Sequence, residues 1–324
     1  MDLLTKKHYE DLYNLLGGDR NPKTASNNHA KAPHKIAERW RNWGADVSVL
    51  EFKTNGYKGR NVWVPPPNLN EPFVLMLAHH DTVPDCPGVD DNGSGVAVVD
   101  RLLHWYYTDS KVDKQSLNLA FVLPDFEEGD PIMYDLLDKM NLENGTNDKW
   151  SDIYFGGTDL RERFFSYMND NNPELNWFAG TRDFVETLRK QQLFEKISVV
   201  FNFETVGYTS NEQTSVPGIP LFPEKGDFIA IVLNEQAQNW HDKFLKSNNP
   251  FPRIPLVVPD RGNPMPDTRR SDHSVFWDFD IPAMMFTDTA NFRNPHYHLS
   301  SDTEVNFEFM SSLVSLVIDI VQDK

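Results

Sequence analysis

Two histidines and an aspartate follow an apolar stretch near position 80. The run Phe73–Ala78 leads directly into His79, His80 and Asp81. Because side chains alternate across a strand, His79 and Asp81 share one side and His80 points to the other. An imidazole with a carboxylate two residues further on can place one ring nitrogen on a metal, with the carboxylate as its partner. Alone the pattern is weak, because an ordinary hydrogen-bonded histidine is several times more common.

Asp90 and Asp91 form a pair of adjacent acids in a glycine-rich turn. An apolar helical segment follows from Ser94, and Asn92 is suited to cap it. A turn and a cap account for the glycines. They do not account for paired aspartates at a place where a carboxylate could bridge two cations.

Glu127 and Glu128 follow a second apolar stretch that ends at Leu123. Adjacent glutamates at a strand end cannot both point the same way, so one can ligate a metal while the other handles protons. A solvated charge pair is the usual explanation of two such glutamates. Here, however, ionisable residues again lie beyond the carboxyl end of a strand, where open α/β sheets build their sites.

Glu204 and His298 also lie downstream of apolar stretches. Taken separately, they are interpreted as a surface acid at a strand end and a loop histidine. Taken with the earlier candidates, they complete a set of nitrogen and oxygen donors typical of zinc in a hydrolytic site.

The elements that must position these residues form an alternating pattern, which predicts an α/β layered fold with helices on the faces of a sheet. We predict strands at Asp46–Phe52, Asn61–Val64, Phe73–Ala78, Leu117–Leu123, Ile197–Phe203, Phe228–Leu233 and Pro282–Phe286. We predict helices at Pro33–Trp43, Ser94–Tyr106, Thr181–Lys190, Glu235–Lys246 and Phe307–Val321.

We expect a single domain over residues 1–324, because no repeat, low-complexity tract or long linker divides the chain. The polar stretch 129–177 contains Asn-Gly at Asn144 and Asn-Asn-Pro at Asn171. It is interpreted as an insertion with short helices, serving as a lid or a partner surface.

Composition limits the partners. The chain has 324 residues, with 31 basic against 48 acidic side chains and a formal charge of −17. This charge disfavours nucleic acid and anionic lipid as ligands. We expect no membrane span and no signal peptide, and hence a cytoplasmic protein unless a leader has been trimmed. Cys86 is the sole cysteine, so no intrachain disulfide can form, and an inert loop thiol is expected.

These positions resemble the co-catalytic di-zinc aminopeptidase family, part of a zinc exopeptidase superfamily that also contains the glutaminyl cyclases. The resemblance covers about Phe73 to Asn306, most of the chain. It consists of short motifs in the same order: His79-x-Asp81, Pro87-Gly88-x-Asp90-Asp91-Asn92-x-Ser94-Gly95, Glu127-Glu128-Gly129, the Glu204 segment, Ser271-Asp272-His273 with Ile281-Pro282-Ala283, and Tyr297-His298 with Asp302. It implies a three-layer α/β/α fold with a mixed central sheet.

The resemblance also implies a metal site with two zinc ions per chain. His79 and Glu204 would hold one zinc, Glu128 and His298 would hold the other, and Asp91 would bridge them. Glu204 stands where many members of the family carry aspartate, so its ion would be reached by a side chain that is one methylene longer.

The implied activity is removal of single residues from the amino ends of peptides. Glu127 would be the general base, Tyr297 would help to stabilise the oxyanion, and Asp81 would orient His79. Asp90 and the segment Ser271–His273 would support the site without binding metal. His80 is a rival to His79 that strand alternation disfavours.

Two alternatives stay open on the sequence. A glutaminyl cyclase would share the fold and most ligands, but would bind one zinc and release ammonia from an amino-terminal glutamine. A non-catalytic binding protein of the same fold would typically have lost ligands or the base, whereas Glu127 and five candidate ligands are present here.

Overall fold

The computed structural model describes residues 3–155, 157–171, 174–219 and 223–323, which form an eight-stranded sheet flanked by helices. The strands are β1 (Ser48–Thr54), β2 (Tyr57–Val64), β3 (Phe73–Leu77), β4 (Leu119–Leu123), β5 (Ile197–Phe203), β6 (Ile229–Asn234), β7 (Arg253–Val258) and β8 (Ala283–Thr287). The α-helices of these ranges are α1 (Leu3–Leu16), α2 (Ser26–Arg41), α3 (Gly93–Thr108), α4 (Ile132–Asn144), α5 (Trp150–Phe155), α6 (Thr158–Asn171), α7 (Ala179–Lys190), α8 (Gln238–Lys246), α9 (His273–Trp277) and α10 (Phe307–Gln322).

The sheet is mixed, with the strand order β1-β2-β4-β3-β5-β8-β6-β7. Its central strands β4, β3, β5 and β8 are parallel to one another. β2 pairs antiparallel with β4 on one side, and β6 pairs antiparallel with β8 on the other. The carboxyl ends of the four parallel strands therefore lie along one edge of the sheet.

Alternate residues of the strands pack into two separate cores. Met76 and Phe201 face a core that also contains side chains of α1, α2, α3, α8 and α10. Leu75 and Val200, their neighbours along the strands, face a core that contains side chains of α7 and α9. Helices thus cover both faces of a mixed sheet, and the predicted three-layer α/β/α fold is confirmed.

Most predicted elements are present with shifted ends. β5 has the predicted bounds, and α10 ends one residue beyond the predicted Val321. α2 begins at Ser26 and contains Pro33, where the sequence predicted its start. α1, α9 and β7 were not predicted. No helix within the described ranges is both long and apolar enough to cross a bilayer.

The predicted insertion contains α4, α5 and α6, and two of these helices are longer than the sequence suggested. Its apolar side chains, among them Met133, Trp150 and Phe164, form a cluster of their own. This cluster packs on Val83 and Cys86 in the loop after β3. The insertion is therefore attached to the edge of the sheet where the parallel strands end.

Candidate metal centre

Three of the predicted site segments follow neighbouring parallel strands. His79 lies just after β3, Glu127 and Glu128 follow β4, and Glu204 follows β5 directly. Because β4, β3 and β5 are adjacent and parallel, the three loops meet at one edge of the sheet. This is the place where open α/β sheets carry their ligands.

The turn before α3 brings Asp91 to the same edge. Asn92 caps α3 as predicted, since its Oδ1 accepts a hydrogen bond from Gly95 N at 3.0 Å. Its Nδ2 donates to Phe203 O at the end of β5 at 2.8 Å. Gly88 has φ +56°, and a Cβ there would collide with the carbonyl oxygen of Asp91. Glycine at 88 and asparagine at 92 therefore fix the turn that carries Asp91.

The two carboxylate oxygens of Asp91 face two different histidines. His79 Nε2 lies 3.5 Å from Oδ1, and His298 Nε2 lies 3.0 Å from Oδ2. On the first side, Glu204 Oε2 lies 3.3 Å from His79 Nε2. On the second side, Glu128 Oε2 lies 3.1 Å from His298 Nε2. The structure thus brings all five predicted ligands together, and all are buried.

The hydrogen bonding of these atoms fits a metal site. His79 Nε2, both carboxylate oxygens of Asp91 and Oε1 of Glu128 are buried, and none hydrogen-bonds to any residue that the structure describes. Buried polar atoms in proteins are otherwise nearly always paired. Two groups have ligand atoms close enough to share an ion: His79 with Glu127 and Glu204, and His79 with Asp91 and Glu128. The imidazole and carboxylate donors are those that zinc takes in proteins.

The carboxylates of the cluster are buried and close together, and both conditions disfavour their ionised forms. Burial raises the pKa of Glu128 to about 7, and the charge of Asp91 adds to the shift. Burial also raises the pKa of Glu127 well above its ordinary value; His79 opposes this rise and Glu204 adds to it. Burial lowers the pKa of His298, but Glu128 and Asp91 outweigh it and raise that pKa to about 9. The raised pKa values of Glu127 and Glu128 favour their protonated forms. Cations bound at this place would instead stabilise the ionised carboxylates.

Comparison with known proteins agrees with this geometry. The model of peptidase family M28 matches residues 61–313. The chain belongs to peptidase family M28. YfbL of Escherichia coli (strain K12), an uncharacterized protein, is 24% identical in an alignment 320 positions long that covers 93% of this chain and 82% of YfbL.

Solved structures share the M28 fold at low identity. The LapA aminopeptidase of Legionella pneumophila has a TM-score of 0.63 at 15% identity, over 98% of this chain and 70% of LapA. Glutaminyl cyclase of Porphyromonas gingivalis has a TM-score of 0.62 at 15% identity, over 98% of both chains. A leucine aminopeptidase precursor of Bacteroides thetaiotaomicron VPI-5482 has a TM-score of 0.62 at 13% identity, over 99% and 97%. The resemblance to the zinc exopeptidase superfamily is confirmed.

Asp81 connects two of the loops that form the M28 site. Its Oδ1 lies 3.4 Å from His79 Nδ1, on the side of the ring away from Asp91. Its two oxygens also accept hydrogen bonds from the backbone N–H groups of Glu127 and Glu128, both at 3.2 Å. Asp81 therefore holds the backbone of the loop after β4 and lies beside the His79 ring.

Other motif residues form hydrogen bonds with the candidate ligand Glu204 and with the turn that carries Asp91. Ser271 donates to Glu204 Oε2 at 2.7 Å. Asp90 accepts from Gly207 N and from Asn294, and Asp302 accepts from the backbone N–H of Asp91 at 3.0 Å. These are the supporting contacts expected for Asp90 and Ser271.

Asp272 and His273 are also buried, and they contact residues outside the candidate metal cluster. Asp272 accepts a hydrogen bond from the Thr181 hydroxyl, and His273 Nε2 lies 2.8 Å from Thr268 O. Burial lowers the pKa of His273 to about 3, so the ring is neutral. Neither residue is in the two candidate metal groups.

His80 and Cys86 lie outside the cluster. His80 Nε2 lies 2.8 Å from the carbonyl oxygen of Arg60, so the ring faces β2 and away from the ligands. Burial raises the pKa of the Cys86 thiol, as expected for an inert cysteine. The alternation argument that favoured His79 over His80 agrees with these positions.

Tyr297 stacks on His298, one of the candidate ligands. Its ring lies 3.8 Å from the His298 ring, centroid to centroid, at an interplanar angle of 16°. Arg270 donates from Nη2 to the Tyr297 hydroxyl at 3.4 Å. A guanidinium has no acceptor, so in this contact the tyrosine oxygen must be the acceptor.

One supporting residue, Arg20, was not predicted. It is fully buried, and its guanidinium donates to the carbonyl oxygens of Gly18, His80, Pro87 and Gly88 at 2.6–3.1 Å. Arg20 therefore joins the loop after β3 to the turn that carries Asp91. No spacing rule could have identified it, because three of its four partners are backbone atoms 60 to 68 positions away.

A cavity of about 250 Å³ opens beside the ligands and reaches Glu204 and Tyr297. We call it the apolar cavity. Its floor consists of cross-strand partners on β6 and β8, Val232 with Met285 and Ala230 with Thr287. Its walls include Val216, Ile219, Met265 and Phe292. The volume and the largely apolar lining of this cavity suit an uncharged side chain next to the candidate ligands.

Proposed function

We propose that this chain is an aminopeptidase that uses two zinc ions to hydrolyse the first peptide bond of peptides with a free amino terminus. One observation carries the proposal: the two oxygens of Asp91 face opposite histidines, each with a second carboxylate beside it. A carboxylate placed in this way is suited to bridge two cations.

The ligands divide between two ions. His79 and Glu204 would hold one, Glu128 and His298 would hold the other, and Asp91 would bridge them. Zinc bound there would polarise the carbonyl of the scissile bond and lower the pKa of a water molecule towards about 7.

Glu127 is the proposed general base. It is buried, its Oε2 lies 3.7 Å from His79 Nε2, and its neighbour Glu128 points towards His298. In the proposed reaction Glu127 accepts the proton of the attacking water and then delivers it to the leaving amine. Its place next to the His79 ring, while Glu128 faces His298, supports this role.

Tyr297 and Asp81 have supporting roles in the proposal. The Tyr297 hydroxyl donates a hydrogen bond to the carbonyl oxygen of the substrate as negative charge develops there. Asp81 fixes the orientation of the His79 ring and of the backbone at Glu127.

The substrate would lie with its first side chain in the apolar cavity. The free amino group would then lie among the carboxylates, where its positive charge is favourable. The apolar lining of Val232, Met285 and Ile219 favours Leu, Met or Phe as the first residue.

A glutaminyl cyclase is the second candidate. This chain covers 98% of the Porphyromonas gingivalis cyclase and 97% of the Bacteroides thetaiotaomicron leucine aminopeptidase precursor, so overall length does not separate the two candidates. A cyclase would catalyse attack of the substrate's own amino group on the side-chain amide of its amino-terminal glutamine, with release of ammonia.

Elemental analysis and a substrate panel decide between these candidates. Protein purified without chelators should contain about two zinc ions per chain and should hydrolyse leucyl arylamides. One zinc per chain, together with ammonia release from glutaminyl peptides and no cleavage of leucyl arylamide, would establish the cyclase instead.

A further inference from the structure

Two completely buried residues, Asp125 and Phe126, lead the loop after β4 into Glu127 and Glu128. Phe126 has φ +58°, in the left-handed region that side chains other than glycine rarely adopt. Such a conformation is strained, and it persists where the surrounding contacts hold it. The path of the chain into Glu127 therefore depends on the contacts of Asp125 and Phe126.

One side chain, His29 of α2, contacts both of these residues. His29 Nε2 lies 2.9 Å and 3.0 Å from the two carboxylate oxygens of Asp125, and because an ionised carboxylate only accepts, the ring donates. The same ring stacks on the Phe126 ring, with centroids 5.4 Å apart and an interplanar angle of 8°. Phe52 contacts the Phe126 ring edge to face at 5.5 Å. His29 thus joins α2 to both residues that precede Glu127.

The Asp125 carboxylate connects His29 to the backbone of two elements. Its Oδ1 accepts a hydrogen bond from Phe126 N at 3.0 Å, and its Oδ2 accepts one from Arg60 N of β2 at 2.8 Å. Burial lowers the pKa of His29, but the charge of Asp125 outweighs burial and raises that pKa above its ordinary value. The two side chains are therefore held as a buried charged pair, in which each partner depends on the other.

We infer that His29 is a positioning residue for the proposed general base, because it holds Asp125 and Phe126 and through them the backbone that carries Glu127. This inference rests on the proposed aminopeptidase function. His29 acts through the loop after β4 and has no place in the two candidate metal groups. It also lies before residue 61, where the family match begins.

His8 of α1 offers a matched control, because its surroundings repeat those of His29. Its Nε2 lies 2.7 Å from a buried aspartate, Asp100. Its ring stacks on an aromatic ring, that of Trp43, with centroids 5.4 Å apart and an interplanar angle of 20°. Asp100 lies within α3, however, and not in a loop that carries a candidate ligand.

Kinetics of His29→Ala and His8→Ala test the inference. In His29→Ala, kcat for leucyl arylamide should fall by about tenfold to a hundredfold, the cost of a reacting group displaced by about 1 Å. KM should change by less than about twofold, because the side chains that line the apolar cavity are intact. In His8→Ala, kcat should equal that of the wild type. Rates are measured at saturating zinc, at a temperature where urea titration shows that each variant is fully folded.

His29→Gln is the second variant, and it takes over the test if His29→Ala does not fold. Its amide can still donate to Asp125 but cannot stack as a ring on Phe126, so kcat should fall less than in His29→Ala. Equal losses of kcat in the variants at positions 8 and 29, or the wild-type kcat in all of them, would overturn the inference.

Hydrogen exchange separates this inference from the proposed function. The backbone N–H of Phe126 donates to Asp125, and those of Glu127 and Glu128 donate to Asp81. In zinc-loaded His29→Ala, the peptide that contains these groups should exchange about tenfold faster than in wild type, whereas His8→Ala should leave its rate unchanged. If the wild type does not cleave leucyl arylamide, the proposed function fails, and the exchange rates still decide whether His29 holds this loop. Wild-type exchange of the peptide in His29→Ala would exclude that role.

Discussion

Asp91 and Asp100 are both buried aspartates, and their surroundings differ in one respect. Asp100, on α3, accepts hydrogen bonds from Arg39 at 3.0 Å and from Trp40 Nε1 at 2.7 Å, and His8 Nε2 lies 2.7 Å from its Oδ2. Asp91 has two histidine nitrogens near its oxygens, but without hydrogen-bond geometry. The donors around Asp100 form hydrogen bonds with its carboxylate. The nitrogens of His79 and His298 lie near the Asp91 carboxylate but do not form hydrogen bonds with it.

This comparison shows which property identifies a site. Burial raises the pKa of both aspartates, and in both cases the neighbouring groups outweigh burial and lower it: His8 and Arg39 for Asp100, His298 and His79 for Asp91. The direction of the pKa shift therefore does not separate them. Hydrogen bonding does, because buried carboxylate oxygens without hydrogen bonds require another partner, and a cation is a suitable one.

The largest expected effect comes from Glu127→Gln, which alters the site without removing a proposed metal ligand. The amide cannot accept the proton of water, so kcat should fall by about 10²- to 10⁴-fold. Zinc content, measured by elemental analysis, should stay at the wild-type value. A variant that hydrolyses leucyl arylamide at the wild-type rate would disprove the role of Glu127.

Asp91→Asn and Asp100→Asn should have opposite consequences. Asp100→Asn leaves Arg39 with an uncompensated buried charge and should lower the free energy of unfolding by about 3 kcal/mol, while zinc content and kcat per folded molecule stay unchanged. Asp91→Asn should lose zinc and activity. Loss of zinc from the Asp100 variant would contradict the distinction between the two regions.

Chelation should mimic the Asp91 substitution. Ions that bind only the folded chain stabilise it, by about 2.7 kcal/mol when the free ion is at 100 times its Kd. Dialysis against a chelator should therefore lower the Tm of wild-type protein and restore it on addition of zinc. The Tm of Asp91→Asn should respond less, and an equal response in both proteins would place the bound ions elsewhere.

The smallest effect is expected near Asp100, where burial lowers the pKa of His104 to about 4. A histidine with a lowered pKa binds fewer protons in the folded than in the unfolded chain between pH 4 and about 6.5, so stability falls as pH drops through this window. His104 is partly exposed, and solvent screening limits its contribution to about 1 kcal/mol between pH 7 and pH 5. In urea unfolding, His104→Gln should lose that much less stability over this range. An unchanged pH dependence would show that His104 does not contribute.

The sequence was informative where function depends on residues next to buried strands. His79, Glu127, Glu128 and Glu204 could be selected because each follows an apolar run, and parallel strands bring such positions together.

Other features could not be predicted because their signals are weak or non-local. β7 is an edge strand that contains Pro255, and proline argues against a strand unless the strand is known to lie at an edge. A cavity of about 380 Å³ is lined both by Arg161 on the insertion and by Arg270, more than a hundred positions later. No local pattern links two such residues, and the tertiary fold alone brings them together.

Arg20 has a practical consequence for the boundaries of this enzyme. The family match begins at residue 61, so a shortened chain that starts there would keep every proposed ligand and lose the guanidinium that supports their loops. Lysine at position 20 could not replace it, because one ammonium group cannot reach four carbonyl oxygens that lie in different directions. The part of the chain that supports the site is therefore longer than the segment that the family match covers.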